Sequence, residues 1–333
     1  MYTTATEAQT GLTKSFSEKR KKYIDSLKKV NYNYMFPILG QQAYSKGYDI
    51  PYPVGIMVNY FNATQSIVIE NIQLGFEGPN KTVGPADFSG LIQFGDNKSH
   101  LYNFNIRPDV WVFPFLNVYG LFGYAPTVNT TVELKEPFYL KSSPKQSGLT
   151  YGFGIMTAMN AGPVFISVDF NQTWSQLQLL DKAVSSNILG LRVGHSFVFN
   201  SKPEKNLTFW MGAMRLGIRS ETKGRIQVGE AIGDADQKFV DDVHASDWYN
   251  NLGPLRQEIV DQTLNSAVNK INDTYVVYSI DKHMKQQWSG CIGAQFQQNK
   301  RMIYRTEVNC IGDRFSVMLS YNYRVLGIKK KTK

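Results

Sequence analysis

The chain holds few groups that could carry out chemistry, and their spacing narrows the choice further. Its four histidines, His100, His195, His244 and His283, are scattered, and none stands at metal-ligand spacing from another histidine or a cysteine. A serine hydrolase needs a serine within hydrogen-bond reach of a histidine that a third group orients. His195 has Ser196 beside it, and an alternating strand places those two side chains on opposite faces. Gly152 and Gly154 lie inside a strand pattern, so they make no phosphate-cradling or dinucleotide loop. These observations predict no catalytic residue, no metal site and no cofactor. Cys291 falls with Ser289, Gln295 and Gln297 on a polar face, and Cys310 with Tyr304 and Val308 on an apolar one, which predicts two free thiols rather than a disulfide.

What remains is electrostatic. Arg107, Asp109, Asp169, Arg192, Arg215, Arg305, Glu307 and Arg324 recur on the polar faces of alternating segments, accompanied by Asn103, Asn105, Ser167, Asn171, Gln295, Gln297, Asn309, Ser316 and Ser320. If those faces line a lumen, arginine outnumbers the acids, and a ring of arginine biases a pore toward anions. The competing reading is a salt-bridged filling that conducts nothing.

The elements that must position these residues are strands. From Leu101 to Ala125 the apolar Tyr102, Phe104, Ile106, Val110 and Val112 alternate with Asn103, Asn105, Arg107 and Asp109. After Phe113-Pro114-Phe115 the alternation resumes with Leu116, Val118, Phe122 and Tyr124. A half-buried sheet in water shows the same period, so period alone does not choose between core and lipid. The strand ends favour lipid, because Trp111, Phe113, Phe115 and Tyr119 crowd the turn, where a soluble hairpin carries polar residues. Amphipathic rings at the ends of apolar bands suit a bilayer interface. Trp111, Phe113, Trp174, Trp210, Trp288, Tyr321 and Tyr323 are the candidates for such girdles.

Composition agrees. Aromatic residues make up 13% of the 333 residues and there are 27 glycines, as a barrel with girdles and a crowded interior requires. A mean hydropathy of −0.30 is no obstacle, since barrel strands show lipid only every second residue. No apolar run reaches the length of a membrane helix. The net charge of +9 admits nucleic acid, an anionic surface or an arginine-lined cavity, but no recognition helix, ribonucleoprotein motif or zinc spacing supports nucleic acid. No signal peptide is visible at Met1, as expected of a mature sequence carrying a new start codon, or of cytoplasmic or mitochondrial residence.

Taken in order, residues 13–30 have helical periodicity, with Leu12, Phe16, Tyr23, Ile24, Leu27 and Val30 on one side and a capping-box spacing at Ser15 and Glu18. Residues 53–76 read as a hairpin turning at Asn62-Ala63. Four further pairs follow, near 99–112 with 116–125, 148–159 with 163–176, 185–199 with 206–220, and 287–298 with 302–311. Arg314 to Val325 closes the series with the clearest alternation. Short links within pairs and mostly long gaps between them match strands crossing a slab, with short turns on the periplasmic side. The one long insertion, 221–286, carries a helical stripe of Val260, Leu264, Val268 and Ile271 behind Pro254.

The segment Arg107-Pro108-Asp109-Val110-Trp111-Val112-Phe113-Pro114-Phe115-Leu116-Asn117-Val118-Tyr119-Gly120, with Arg305-Thr306-Glu307, Gly312-Asp313-Arg314 and Tyr321-Asn322-Tyr323-Arg324, resembles a poorly characterised group of Gram-negative outer-membrane β-barrel proteins. The resemblance runs from about Pro51 to Leu326 and implies a β-barrel in the outer membrane, with no substrate or reaction attached. One departure is the ending, where Val325-Leu326 is followed by GIKKKTK instead of a terminal aromatic.

The expectation is therefore an all-β, closed antiparallel up-and-down transmembrane barrel of about 12 strands (range 10–14). Residues 1–50 form an N-terminal helix with a first strand or plug, 51–327 the barrel including the helical insertion 221–286, and 328–333 a basic tail. Eleven strands counted from Pro53 leave residues 1–50 one crossing to make, assigned to a strand near Asn31 to Leu39, which would put Ser45 outside. The expected partner is membrane lipid and not nucleic acid. The expected function is a passive channel for small solutes, anionic ones favoured, and not an enzyme. Two alternatives stand beside it: a closed barrel displaying 221–286 to a partner, and an outer-membrane hydrolase. A mitochondrial porin would need nineteen strands.

Overall fold

The computed structural model describes residue 18 and residues 20–330, apart from 137–139, 162–163, 200–201, 220 and 234. Its strands are β1 (Val54–Glu77), β2 (Thr82–Asp87), β3 (Gln93–Phe94), β4 (Asn97–Phe113), β5 (Leu116–Glu136), β6 (Leu140–Ser142), β7 (Lys145–Ala161), β8 (Val164–Leu177), β9 (Val184–Val198), β10 (Asn206–Arg219), β11 (Glu221–Gln227), β12 (Tyr275–Met284), β13 (Trp288–Gln297), β14 (Met302–Ile311) and β15 (Phe315–Val325). Strands with apolar side chains facing outward can satisfy every backbone group in lipid only by closing on themselves. They do so here. β1, β4, β5, β7, β8, β9, β10, β13, β14 and β15 pair in that order, all antiparallel, and β15 returns to β1.

Among the described residues the barrel thus has ten strands rather than twelve. One difference lies at 53–76, which is a single unbroken strand. Asn62 and Ala63 do not turn, because Asn62 pairs with Tyr102 on one side and Val317 on the other. The polarity at Asn62, Thr64 and Ser66 marks where the outer face of β1 leaves the apolar band, and Asn62 and Thr64 bond His100 there. The other difference lies at 31–39, which is not a strand. Tyr34 makes one bridge to Lys329, and α1 (Gly40–Ser45) follows. With β1 continuous, no additional crossing is required.

The segment ahead of β1 lies at the short-turn end. Residues 20–28 are helical, with Leu27 buried, while Leu12, Phe16 and Ser15 of the predicted helix fall outside the described residues. Ile38 N–H donates to the Val112 carbonyl at 2.8 Å and Met35 N–H to the Ile328 carbonyl at 2.8 Å. Lys300, in the β13–β14 turn, pairs with Asp49 at 2.7 Å.

Two zones of opposite polarity stack along the barrel. In the lower zone the exposed face is apolar: Ile56, Val58, Phe104, Ile106, Phe122, Tyr151, Phe153, Ile155, Val193, Met211 and Leu319 all point outward. On β7 this face runs from Leu149 to Met159. At roughly 3.3 Å per residue and a tilt of about 40°, that is a belt roughly 25 Å tall, the thickness of an outer-membrane hydrocarbon layer. Cys291 is buried, Cys310 is exposed, and both are free.

In the upper zone the phase inverts. On β12 the partly buried Val276 and Ile280 pack into an apolar core with Ile72, Phe76 and Phe88, while Asp281 faces outward and accepts from Asn71. This zone forms because β14 and β15 stop early, at Ile311 and Phe315. Above that tip β12 crosses the gap and pairs directly with β1, from Ile67↔Met284 to Glu77↔Tyr275. The tip is stitched in place, with Ser66 N–H donating to Asp313 at 2.9 Å and Asp313 N–H to the Gln286 amide oxygen at 3.0 Å.

The insertion 221–286 is therefore partly wall, supplied by β11 and β12, and partly roof. The roof comprises α2 (Val228–Ile232), α3 (Gln237–His244), α4 (Asp247–Asn250) and α5 (Pro254–Val268). Asp236 caps α3 by accepting from Phe239 N–H, Ser246 caps α4 by accepting from Tyr249 N–H, and Pro254 opens α5. On α5 the buried residues are Ile259, Thr263, Leu264, Ser266 and Ala267. The predicted stripe is thus turned by about one residue, and Ile271 lies beyond the helix and exposed.

Short turns face the periplasm in barrels of this type, so α1 is periplasmic. A Ser45→Cys variant on intact cells is expected to resist a membrane-impermeant maleimide and to react after the outer membrane is permeabilised. Rapid labelling of intact cells would invert this topology.

Candidate functional site

Two sites lie one above the other, a polar lumen within the belt and an apolar chamber beneath the helical roof. A barrel of this strand number is only slightly wider than side chains can fill, so its interior residues must meet across it. Arg192 on β9 is the hub. Its Nε and Nη2 donate to Glu307 of β14 at 2.5 and 2.9 Å, and its Nη1 donates to Asp169 of β8. Glu307 also accepts from Trp210 Nε1 at 2.9 Å and from Arg305 Nη2 at 3.1 Å, and the Arg305 guanidinium lies over the Trp210 ring. Asn171 donates to Asp169 and accepts from Tyr119 Oη, whose ring lies 3.9 Å below the Arg107 guanidinium. Nearer the short-turn end, Arg324 donates to Asp109 at 2.7 Å and to the Tyr52 carbonyl at 2.7 Å, and Asn117 donates to Asp109.

Glycines on the intervening strands make these reaches possible. Gly293 sits in register between Trp210 and Glu307, and a Cβ there would lie 2.4 Å from the indole. Gly55 sits likewise between Asp109 and Arg324. A side chain can lie flat across a neighbouring strand only where that strand offers no Cβ.

Of the predicted lumen residues, Arg107, Asp109, Asp169, Arg192, Arg305, Glu307 and Arg324 face inward and come together in these clusters. Arg215 does not. It shares its face with Phe209 and Met211, pointing outward above the belt, where it donates to Gln287 at 3.0 Å. Of the predicted girdle residues, Trp174 stacks on the outward Tyr151, and Trp288, Tyr321 and Tyr323 also lie on outward faces. Trp111 and Trp210 are corrections: both are buried inside, where their rings cover guanidinium groups. Phe113, in phase with Trp111, is half-buried at the turn and stacked on Phe115. Tyr119, Asn117 and Arg314 are lumen residues outside the predicted set. Asn117 and Arg314 lie on the polar faces of their alternating segments, and Tyr119 is in phase with Asn117 and opposite Asp109.

The chamber above is a cavity of about 290 Å³. Its walls come from the upper parts of β1, β5, β11 and β12, and its roof from α2, α3, α4 and α5, with Ile72, Phe88, Trp248, Ile259, Leu264 and Ile280 among the lining residues. The roof is pinned down, because Trp248 Nε1 donates to the Leu91 carbonyl at 2.8 Å, Arg256 donates to the Asp87 carbonyl at 2.6 Å, and Lys81 pairs with Glu258. One charged side chain among the described residues reaches the apolar lining, that of Lys282.

The closed sheet, the apolar belt and the polar filling define an integral β-barrel of the bacterial outer membrane. No family model matches the chain, and no curated protein does. Among solved structures it is similar to the outer membrane protein OprG from Pseudomonas aeruginosa, with 11% identity over 83% of this chain and 100% of that one and a TM-score of 0.38. It is also similar to the β domain of the Bordetella autotransporter BrkA, with 7% identity over 82% and 100% and a TM-score of 0.38. A third is the toluene transporter TbuX of Ralstonia pickettii, with 8% identity over 82% and 90% and a TM-score of 0.30. The likeness is one of barrel outline, and it extends to no shared cargo.

Removing one partner from a buried ion pair strands the other. Glu307→Ala, which leaves Arg192 and Arg305 without their common anion, is expected to lower unfolding stability in lipid vesicles by about 3–5 kcal/mol, measured by urea titration. A change under about 1 kcal/mol would mean that water replaces the carboxylate without loss. The inward tryptophans carry a separate test. In single-tryptophan variants, brominated lipid should quench Trp174 strongly and leave Trp111 and Trp210 bright, whereas equal quenching of all three would contradict the assigned faces.

Proposed function

We propose that this protein is an outer-membrane barrel that binds a small, largely apolar molecule in its upper chamber, above a lumen crossed by ion pairs. The observation that carries this reading is the chamber itself. Helices, two of them capped by the side chains of Asp236 and Ser246, are held over an apolar cavity that they do not fill, and pockets that are apolar with few polar groups are where small ligands bind. A barrel serving only to display a loop has no need of a lined hollow beneath it. The reading assigns no reaction to the chain.

A second reading, an anion-favouring channel, has one observation in its favour. The Nε atoms of Arg107 and Arg305 are buried without a hydrogen-bond partner among the described residues, so they could bond a passing anion. Against it, Arg192 and Arg324 are engaged with carboxylates, which removes much of the net field that a selective constriction needs.

The test combines occupancy and current. Protein in lipid nanodiscs is expected to bind radiolabelled naphthalene saturably above the lipid background, and Thr263→Trp, which places a large ring on the chamber wall from α5, should abolish that binding. In planar bilayers the same protein should stay electrically quiet. A steady, anion-selective current together with non-saturable naphthalene uptake would favour the channel instead.

A further inference from the structure

Lys282 is out of keeping with its surroundings. It sits on the inward face of β12, opposite Ile69 and two residues from both Ile280 and Met284, and its side chain helps line the apolar chamber. Among the described residues it has no ion pair and no hydrogen-bond acceptor. The residue is partly buried, and the cavity it lines is apolar. The outward neighbours at this level are polar or charged, Asp281 bonding Asn71 and His283 lying 3.8 Å from Glu70, so Lys282 stands above the lipid belt. Burial pushes its ammonium down to about 8, which leaves it largely charged at neutral pH. An unpaired charge in such a place costs stability, and a protein that merely had to fold would be better served there by methionine or leucine.

We propose that the chamber's ligand is an amphiphilic monocarboxylate, with its carboxylate on the Lys282 ammonium and its hydrocarbon chain among Ile72, Phe88, Ile259, Leu264 and Ile280. This rests on the chamber-binding reading above and specifies its substrate class. The carboxylate supplies the counter-charge that the chain omits, in a setting where a charge-assisted hydrogen bond is strong. The apolar lining supplies affinity without direction, and Lys282 supplies the direction. A cavity of about 290 Å³ has room for a chain of on the order of ten heavy atoms. Decanoate is of that size. A dicarboxylate or a sugar acid would leave polar groups unmatched against the apolar wall.

The experiment uses the full chain in nanodiscs, with radiolabelled decanoate and 1-decanol as probes and empty nanodiscs as background. Wild-type protein should bind both saturably. Lys282→Met should weaken decanoate by at least about tenfold, the size of a lost hydrogen bond to a charged group, and leave decanol unchanged, while Lys282→Arg retains most decanoate binding. Lys282→Met should also unfold at the same or a higher temperature than wild type, which keeps a lost signal from being read as misfolding. Equal decanoate binding by wild type and Lys282→Met, with decanol binding intact, would overturn the carboxylate assignment and leave the chamber reading standing. Displacement of decanol by decyl phosphate but not by decanoate would overturn it too, in favour of a phosphate head. If neither probe binds saturably and Thr263→Trp changes nothing, the chamber reading fails and the assignment fails with it.

Discussion

A carboxylate inside a narrow barrel stays ionised only if cations reach it, and the interior of this protein is arranged around one such carboxylate, Glu307. It is almost completely buried and is met by Arg192, Arg305 and Trp210 from three directions. Each of those side chains is in turn placed by something smaller. Trp210 can lie across β13 because Gly293 is beneath it, and Arg192 is aimed by Asp169 on the far side. The network ties β8, β9, β10 and β14 to one another through the lumen, in addition to the ladders that join neighbours around the wall. Pairs of this kind seldom add much net stability over an apolar filling. They do fix which side chains face inward, because a one-residue slip in β8, β9 or β14 would put an unpaired charge into lipid.

Much of this was legible in the sequence because a strand in a bilayer has to show its period. Phe315 to Val325 alternates with one exception, Met318 on the polar face, and its faces are those observed. Where the reading failed, it failed for identifiable reasons. Asn62 and Ala63 look like a turn, yet they lie where the outer face of a long strand passes from lipid to water, and a polar residue is at home there in the middle of a ladder. Arg215 was assigned to the lumen on polarity alone; above the belt the outside is wet, and polarity no longer reports direction. Trp111 and Trp210 were assigned to the interface because tryptophan prefers it. For Trp210 the glycines across from it, Gly194 and Gly293, carry the contrary signal, since an indole can lie flat inside a barrel only over a strand without a side chain.

The chamber was the least legible part, and the cause is again a change of solvent. Val276, Ile280 and Lys282 are inward on β12, with Asp281 and His283 outward, the ordinary arrangement of a soluble sheet and the reverse of the belt below. The same period of two is read with opposite sign on either side of the membrane surface. A chain that crosses that surface within single strands cannot be interpreted with one rule, and the helices of the insertion give no hint on their own that they roof a hollow rather than pack a core.

The early end of the β14–β15 hairpin has a consequence for how such a protein could vary. Above Ile311 the ring loses two strands, and since diameter grows roughly in proportion to strand number, the upper storey is narrower than the lower by about a fifth. Had the hairpin continued, it would have taken the hydrogen bonds that β1 now gives to β12, and the upper storey would have been an extension of the lumen with the lumen's width. The length of one surface hairpin, far in sequence from α5 and the roof, therefore sets the cross-section of the space beneath them. Insertions at Gly312 and Asp313 would act as a caliper on the cavity without altering any residue that lines it.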